Sequence, residues 1–343
     1  MSKLHLLDQT SDWLEAWFAG HGLPAYRAGQ VRQWLFKRRA AEFDQMTDLP
    51  SPLRNQLADE LTIFTSRVAQ HQQADDGTEK LLLETADHQR IECVLLRDDK
   101  GHRTICISTQ VGCAMGCVFC ASGLGGMVRN LTTGEIIEQM LRLQHLLAPD
   151  QRLSHVVVMG IGEPLANLDR LLPALAAATS TDGLALSARR ITISTVGLPA
   201  GIRRLADENC PYHLAVSLHA ADDPLRSRLV PAGRKHPVAS ILAATDDYFQ
   251  RTGRRVTFEY VLLAGVNDQP QHARRLVRLL QGRPVLVNVI PYNRVPELPY
   301  RAPAAAVTAR FVESLRQGNL NVRIRYRKGQ GIDAACGQLR RSG

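Results

Sequence analysis

The chain is poor in aromatic residues: Phe, Trp and Tyr make up 5% of its 343 residues. That excludes an extended platform on which a nucleic-acid strand could stack base after base, and leaves room only for a few splayed or flipped bases. No apolar run approaches the about 18 residues needed to cross a bilayer, so no membrane segment is expected. The stretch Met1 to Asp12 lacks a basic flank followed by an apolar block, so no secretory signal is expected either. Cysteine is scarce and odd in number, seven in all with three inside eight residues. This argues against a disulfide scaffold and for a reducing, cytoplasmic setting. The three clustered residues, Cys113, Cys117 and Cys120, have no fourth Cys or His after them at suitable spacing. Structural zinc and ferredoxin clusters take four protein ligands, so a closed site is not supplied locally. A zinc loop completed by Cys106 or a remote His is the alternative that spacing leaves open.

What the chain does have is positive charge, a formal +9 at neutral pH. Ribosomal RNA, transfer RNA and DNA are all partners that would meet such a surface, although a solvated basic surface without a partner is also compatible with it. Residues 1–75 read as a small helical module. Trp13, Leu14, Trp17 and Phe18 have helical spacing and stop at Gly20 and Gly22; Val31, Trp34 and Leu35 repeat the pattern, with Arg27, Arg32, Lys37, Arg38 and Arg39 on other faces. A third helix is expected over 53–61, after Pro50 and Pro52. The result is similar to a helix-hairpin-helix nucleic-acid module. Residues 76–105 turn to strand-like periodicity, an antiparallel extension that carries Glu92 and leads to Cys106.

The remainder, residues 106–343, alternates strand and helix. Strands are expected at 155–159, 190–194, 213–218, 256–263 and 285–290, separated by helical segments, which implies a parallel sheet and a full or partial barrel. In barrels the chemistry sits at the C-terminal ends of the strands. Those ends read Gly160 to Pro164, Ser194 to Gly197, Ser217 to Ala220, and Pro291 to Asn293. In the tail, a basic run from Arg323 delivers Cys336 between Ala335 and Gly337 into a terminal loop expected to be mobile, with the small neighbours leaving its sulfur accessible.

The spacing Cys113-x3-Cys117-x2-Cys120, with Phe119 before the last cysteine, resembles the signature of the radical S-adenosylmethionine (SAM) superfamily. With Gly162-Glu163-Pro164-Leu165, Ser217-Leu218-His219-Ala220, Gly265-Val266-Asn267-Asp268 and the tail Asp333-Ala334-Ala335-Cys336-Gly337-Gln338-Leu339, the chain resembles over nearly its whole length the RlmN group of adenosine-C2 RNA methyltransferases. The resemblance implies an α/β fold, a partial (β/α)6 radical SAM barrel with the small helical module and the β extension attached. It implies that Cys113, Cys117 and Cys120 hold a 4Fe-4S cluster, and that Gly162, Glu163, Pro164, Ser194, Ser217, Leu218, His219 and Asn293 bind SAM. It further implies that Cys336 receives a methyl group, that Cys106 resolves the RNA adduct through a transient disulfide, and that Glu92 accepts the C2 proton. Two SAM molecules would be consumed per turnover. The implied substrates are the peptidyl transferase loop of 23S rRNA and, as a second substrate, tRNA next to the anticodon; an electron donor such as flavodoxin or ferredoxin and a monomeric state complete the expectation. The related Cfr enzymes methylate C8 instead, which is the competing enzyme reading, and a zinc-dependent RNA-binding protein without catalysis is the reading from another class. Ala166 and Val230 to Gly233 depart from the family's usual pattern. Cys93 and Cys210 read as core.

Overall fold

A ten-stranded mixed sheet organises the computed structural model, which describes residues 3–340. Met1 and Ser2 of the stretch read for a signal, and the last three residues of the tail, lie outside the described residues. The helical module comprises β1 (Leu4–His5), α1 (Ser11–Gly20), α2 (Tyr26–Phe36), α3 (Ser51–Glu60) and β2 (Leu61–Thr62), with β1 and β2 paired in parallel. Strands β3 (Arg67–Gln73), β4 (Glu79–Glu84), β5 (Arg90–Arg97) and β6 (Arg103–Cys106) form an antiparallel meander. A hairpin of β7 (Gln110–Gly112) and β8 (Met127–Asn130) follows, and the three-cysteine loop lies between its strands. The alternating region runs α4 (Thr133–His145), β9 (His155–Val158), α5 (Leu168–Thr179), β10 (Ile191–Thr195), α6 (Pro199–Asp207), β11 (His213–Ser217), α7 (Asp223–Leu229), α8 (Val238–Thr252), β12 (Thr257–Leu262), α9 (Pro270–Leu280), β13 (Leu286–Pro291), α10 (Ala305–Gln317) and β14 (Asn321–Ile324).

The sheet order is β14-β13-β12-β11-β10-β9-β6-β5-β4-β3. From β6 to β14 every pairing is parallel, so β6 serves both as the last strand of the meander and the first of the barrel. β14 and β6 are not paired with each other, which leaves the barrel open. Its curl is nevertheless tight enough that Arg325, just past β14, brings Nη1 to 3.3 Å from Met159 Sδ, just past β9.

Each expected strand of the alternating region is present within a residue or two. β3 is not anticipated: Arg67 to Gln73 is polar and largely exposed, an edge strand without alternation, so the sheet begins before residue 76. The helical module shares a continuous core with the barrel helices, in which Phe18, Val31 and Leu57 are fully buried. Its junction with α4 is polar: Glu138 accepts from the backbone N–H of Thr65 (3.0 Å) and Ser66 (3.1 Å) and from Arg142 Nε (3.0 Å), and the Gly134 N–H donates to Asp8 (2.6 Å). Two cations of the supposed RNA-facing surface are turned to this junction. Arg32 pairs with Asp182, and Arg39 donates to the Leu147 carbonyl at 2.8 Å.

Candidate active site

The three-cysteine loop is shaped by its own backbone. Gly112 has φ +77°, and a Cβ there would collide with the Gly126 carbonyl, which accepts from the Cys113 N–H at 3.0 Å. Val118 N–H donates to the Leu229 carbonyl (3.0 Å) at the end of α7, and Cys120 N–H to the Cys117 carbonyl (3.1 Å). The loop closes one end of a cavity, open to solvent on one side, at the C-terminal ends of the parallel strands.

Cys113, Cys117 and Cys120 line this cavity together with Gly162, Glu163, Pro164, Ser194, Ser217, His219, Asn293 and Cys336. Leu218 is the exception among the candidate SAM residues: its side chain is fully buried in the core, leaving only its backbone near the rim. Gly162 permits a close approach, with φ +110° and the position of a Cβ only 2.7 Å from Gln110 Cβ. Glu163 spans two strand ends, accepting from the N–H of Leu165 (3.0 Å) and Val196 (2.8 Å). Burial pushes its carboxyl up to about 7, against the lowering effect of those donors. His219 sits in the left-handed region at φ +59°. Its Nδ1 accepts from the Val261 N–H (3.1 Å), which places the ring proton on Nε2, and Phe119 packs edge-on at 4.8 Å. Burial, with Arg226 nearby, lowers its pKa to about 3, so the ring is neutral.

The tail is docked against the cysteine loop and the meander. Ala121 N–H donates to the Gly337 carbonyl (2.8 Å), Ser122 Oγ to the Leu339 carbonyl (2.7 Å), and Asn293 Nδ2 to the Cys336 carbonyl (3.1 Å). From the meander, Asp76 accepts from the Gly329 N–H at 2.9 Å. Cys336 thereby lies where two cavities meet, and Cys106 lines the second of them. Both are free thiols. Burial and then the neighbouring Cys336 push the Cys106 thiol up to about 12.

Glu92 lines neither cavity. It is buried under the tail, with Oε1 2.8 Å from Lys80 Nζ and Oε2 accepting from the Arg340 N–H at 2.8 Å. Burial raises its pKa despite the lysine. Two cavity residues escaped the sequence reading. Arg325 lies between the two cavities. Glu259, buried on β12, has Oε1 held by Asn288 Nδ2 (3.1 Å) and Oε2 without a partner among the described residues. The alternation with Phe258 and Tyr260, which point to the core, was the available signal for Glu259.

A profile of the Radical SAM superfamily matches residues 107–277, and one of the Ribosomal RNA large subunit methyltransferase N-terminal domain matches residues 4–63. A Rhodopirellula baltica protein described as a probable dual-specificity RNA methyltransferase RlmN is 57% identical over 99% of this chain and 91% of its own length. One of the same description from Symbiobacterium thermophilum is 47% identical over 93% of this chain and 86% of its own. The crystal structure of a radical SAM methyltransferase from Sphaerobacter thermophilus superposes with a TM-score of 0.96 at 43% identity, covering 99% of this chain and 100% of the other. Among the described residues no helix is long and apolar enough to cross a membrane.

Proposed function

The chain belongs to the RlmN family of radical SAM RNA methyltransferases, and from that premise we propose that it methylates C2 of adenosine in 23S rRNA and in tRNA, in the cytoplasm, with Cys336 as the methyl carrier. The superfamily's cofactors are a 4Fe-4S cluster and SAM, and the residues suit both. Cys113, Cys117 and Cys120 supply three thiols on one cavity wall; burial raises their pKa values, so the protons they would give up on binding are held until a cationic centre replaces them. When bound, the cluster supplies the electron that splits SAM reductively into methionine and a 5′-deoxyadenosyl radical.

The chain's own groups do the rest. An adenine C2 is too weak a nucleophile to displace the SAM methyl, so the Cys336 sulfur, losing its proton, would take the methyl first from one SAM and release S-adenosylhomocysteine; reductive cleavage of a second SAM would give the radical that removes hydrogen from the S-methyl carbon. That carbon adds to C2 and leaves a protein–RNA thioether. That adduct is still a radical: a base, Glu92 in this reading, takes the C2 proton, and the one electron given up with it would return to the oxidised cluster. The Cys106 sulfur then attacks that of Cys336; the S–C bond breaks, its electron pair leaves with the methylated RNA, and a disulfide remains. An electron donor such as flavodoxin or ferredoxin supplies the reducing equivalents. The observation that carries this reading is that Cys336 faces both the three-cysteine cavity and the cavity of Cys106.

The test is mass spectrometry of the Cys336 peptide after anaerobic reconstitution with methyl-labelled SAM, together with nucleoside analysis of the RNA. Label on Cys336 that passes into 2-methyladenosine is expected. Label passing into 8-methyladenosine would move the activity to the C8 reaction, and an unlabelled Cys336 while SAM is cleaved would refute the carrier role.

A further inference from the structure

The cavity shared by Cys106 and Cys336 opens onto a basic rim that none of these steps uses. Tyr326 and Arg327 line both that cavity and an adjoining hollow, whose other walls include Arg294 and Arg301. Tyr326 is 76% exposed, more than any other large hydrophobic side chain described. An aromatic ring left in water forgoes a large burial, and this one makes no ring contact among the described residues. Arg294 and Arg301 are exposed, and no carboxylate among the described residues pairs with either. The acids nearby are already engaged: Asp333 lies 3.7 Å from Arg327, Glu297 2.5 Å from Arg340, and Asp98 2.8 Å from His102. The rim is also tied to the reactive tail, because Gln338 Nε2 donates to the Arg294 carbonyl at 2.7 Å.

We propose that Tyr326 is the stacking seat for the base that flanks the target adenosine, with Arg294 and Arg301 taking the phosphates beside it. This rests on the RNA methyltransferase reading. A nucleotide drawn out of its stack to expose a ring carbon leaves its neighbour with one bare face, and a single ring at the cavity mouth covers that face. Stacking of this kind is indifferent to base identity, so Tyr326 contributes affinity and placement and does not choose the sequence.

The test uses a 23S rRNA fragment spanning the peptidyl transferase loop, with 2-aminopurine replacing in turn each nucleotide flanking the target. Binding to the unaltered protein is expected to quench one of the two probes. Tyr326→Ala should abolish that quench and weaken binding roughly tenfold or more, while Tyr326→Phe preserves both. Arg294→Gln and Arg301→Gln should each lower the slope of log affinity against log salt by about 0.7 with the quench retained. Methylation of Cys336 by SAM without RNA verifies that each variant is folded. If the unaltered protein methylates the fragment but Tyr326→Ala binds and quenches like it, the stacking seat is refuted and the methyltransferase reading stands. If the unaltered protein neither binds nor methylates RNA, that reading fails and takes the proposal with it.

Discussion

Replacing Lys80 by Met tests whether Glu92 is a chemical group or a tether. The two side chains are 6% and 3% exposed and 2.8 Å apart, and the second Glu92 oxygen holds the Arg340 N–H. Lys80→Met keeps the aliphatic stem and removes the cation paired with a carboxylate whose burial already raises its pKa. Breaking a buried pair from one side costs about 3–5 kcal/mol, whereas replacing both partners by apolar groups is close to neutral. For a chain of 343 residues, unfolding entropy scales so that 1 kcal/mol moves the melting temperature by roughly 1–2 °C. Lys80→Met and Glu92→Leu should therefore each lower it by about 4–7 °C, and the double variant should recover most of that loss. Limited proteolysis of the tail should follow the same order, since Lys80 also reaches the Asp333 carbonyl at 3.5 Å. The double variant then separates the roles. A docked tail with Cys336 methylated but no release of methylated RNA assigns proton acceptance to Glu92; restored turnover makes it a tether only. Strictly additive losses would refute the coupled pair and the argument built on it.

His219 is neutral when folded and takes a proton freely when unfolded, so its contribution to stability is lost as pH falls from its ordinary 6.5 toward about 3. One pH unit below 6.5 this amounts to about 1.4 kcal/mol in the cluster-free protein; His219→Gln should flatten that part of a pH series of denaturant melts. Gly162→Ala must fit a Cβ 2.7 Å from Gln110 Cβ at φ +110°. Strain of about 1–3 kcal/mol is expected there, read as weaker SAM binding in equilibrium dialysis with little change in secondary structure. Cys113→Ala should purify without iron yet bind RNA like the unaltered protein, a comparison that anaerobic iron analysis and gel-shift titration make directly. Zinc at full occupancy in the unaltered protein, with no SAM cleavage, would count against the cluster.

The parallel strands were legible because each buried strand is a short apolar run ended by Gly, Ser or Pro, and their displacement by a residue or so, Ile191–Thr195 where 190–194 was expected, is the ordinary blur of a boundary. β3 carried no such signal, since an exposed edge strand needs no alternation and is defined by its register with β4. α7 is seven residues long and buries Arg226, so its periodicity never develops. In the site, local motifs located the cysteine loop and the strand ends, but not the company they keep. Lys80 and Glu92 are twelve positions apart in sequence and become diagonal neighbours only because Leu82 pairs with Glu92 and Lys80 with Val94. The docking of the tail was invisible for the same reason: its anchors on the meander and the cysteine loop lie more than two hundred positions away.

Those anchors give the antiparallel meander a purpose that its sequence does not announce. Asp76 holds the Gly329 N–H (2.9 Å), Glu92 the Arg340 N–H (2.8 Å), and the Arg97 carbonyl accepts from Lys328 Nζ (2.6 Å). All three come from β4, β5 or the turn before them, the side of the sheet that continues beyond the first barrel strand. A terminal segment has few neighbours of its own and frays unless tied down. Here it crosses the open side of the barrel, and each of its ends is bonded to the meander while its middle is bonded to the cysteine loop. Cys106 closes the arrangement, because it ends the strand shared by meander and barrel. One continuous sheet thus carries Cys106, the strand ends of the three-cysteine cavity and the dock for Cys336, so two thiols far apart in sequence can meet without either lying on an independent loop.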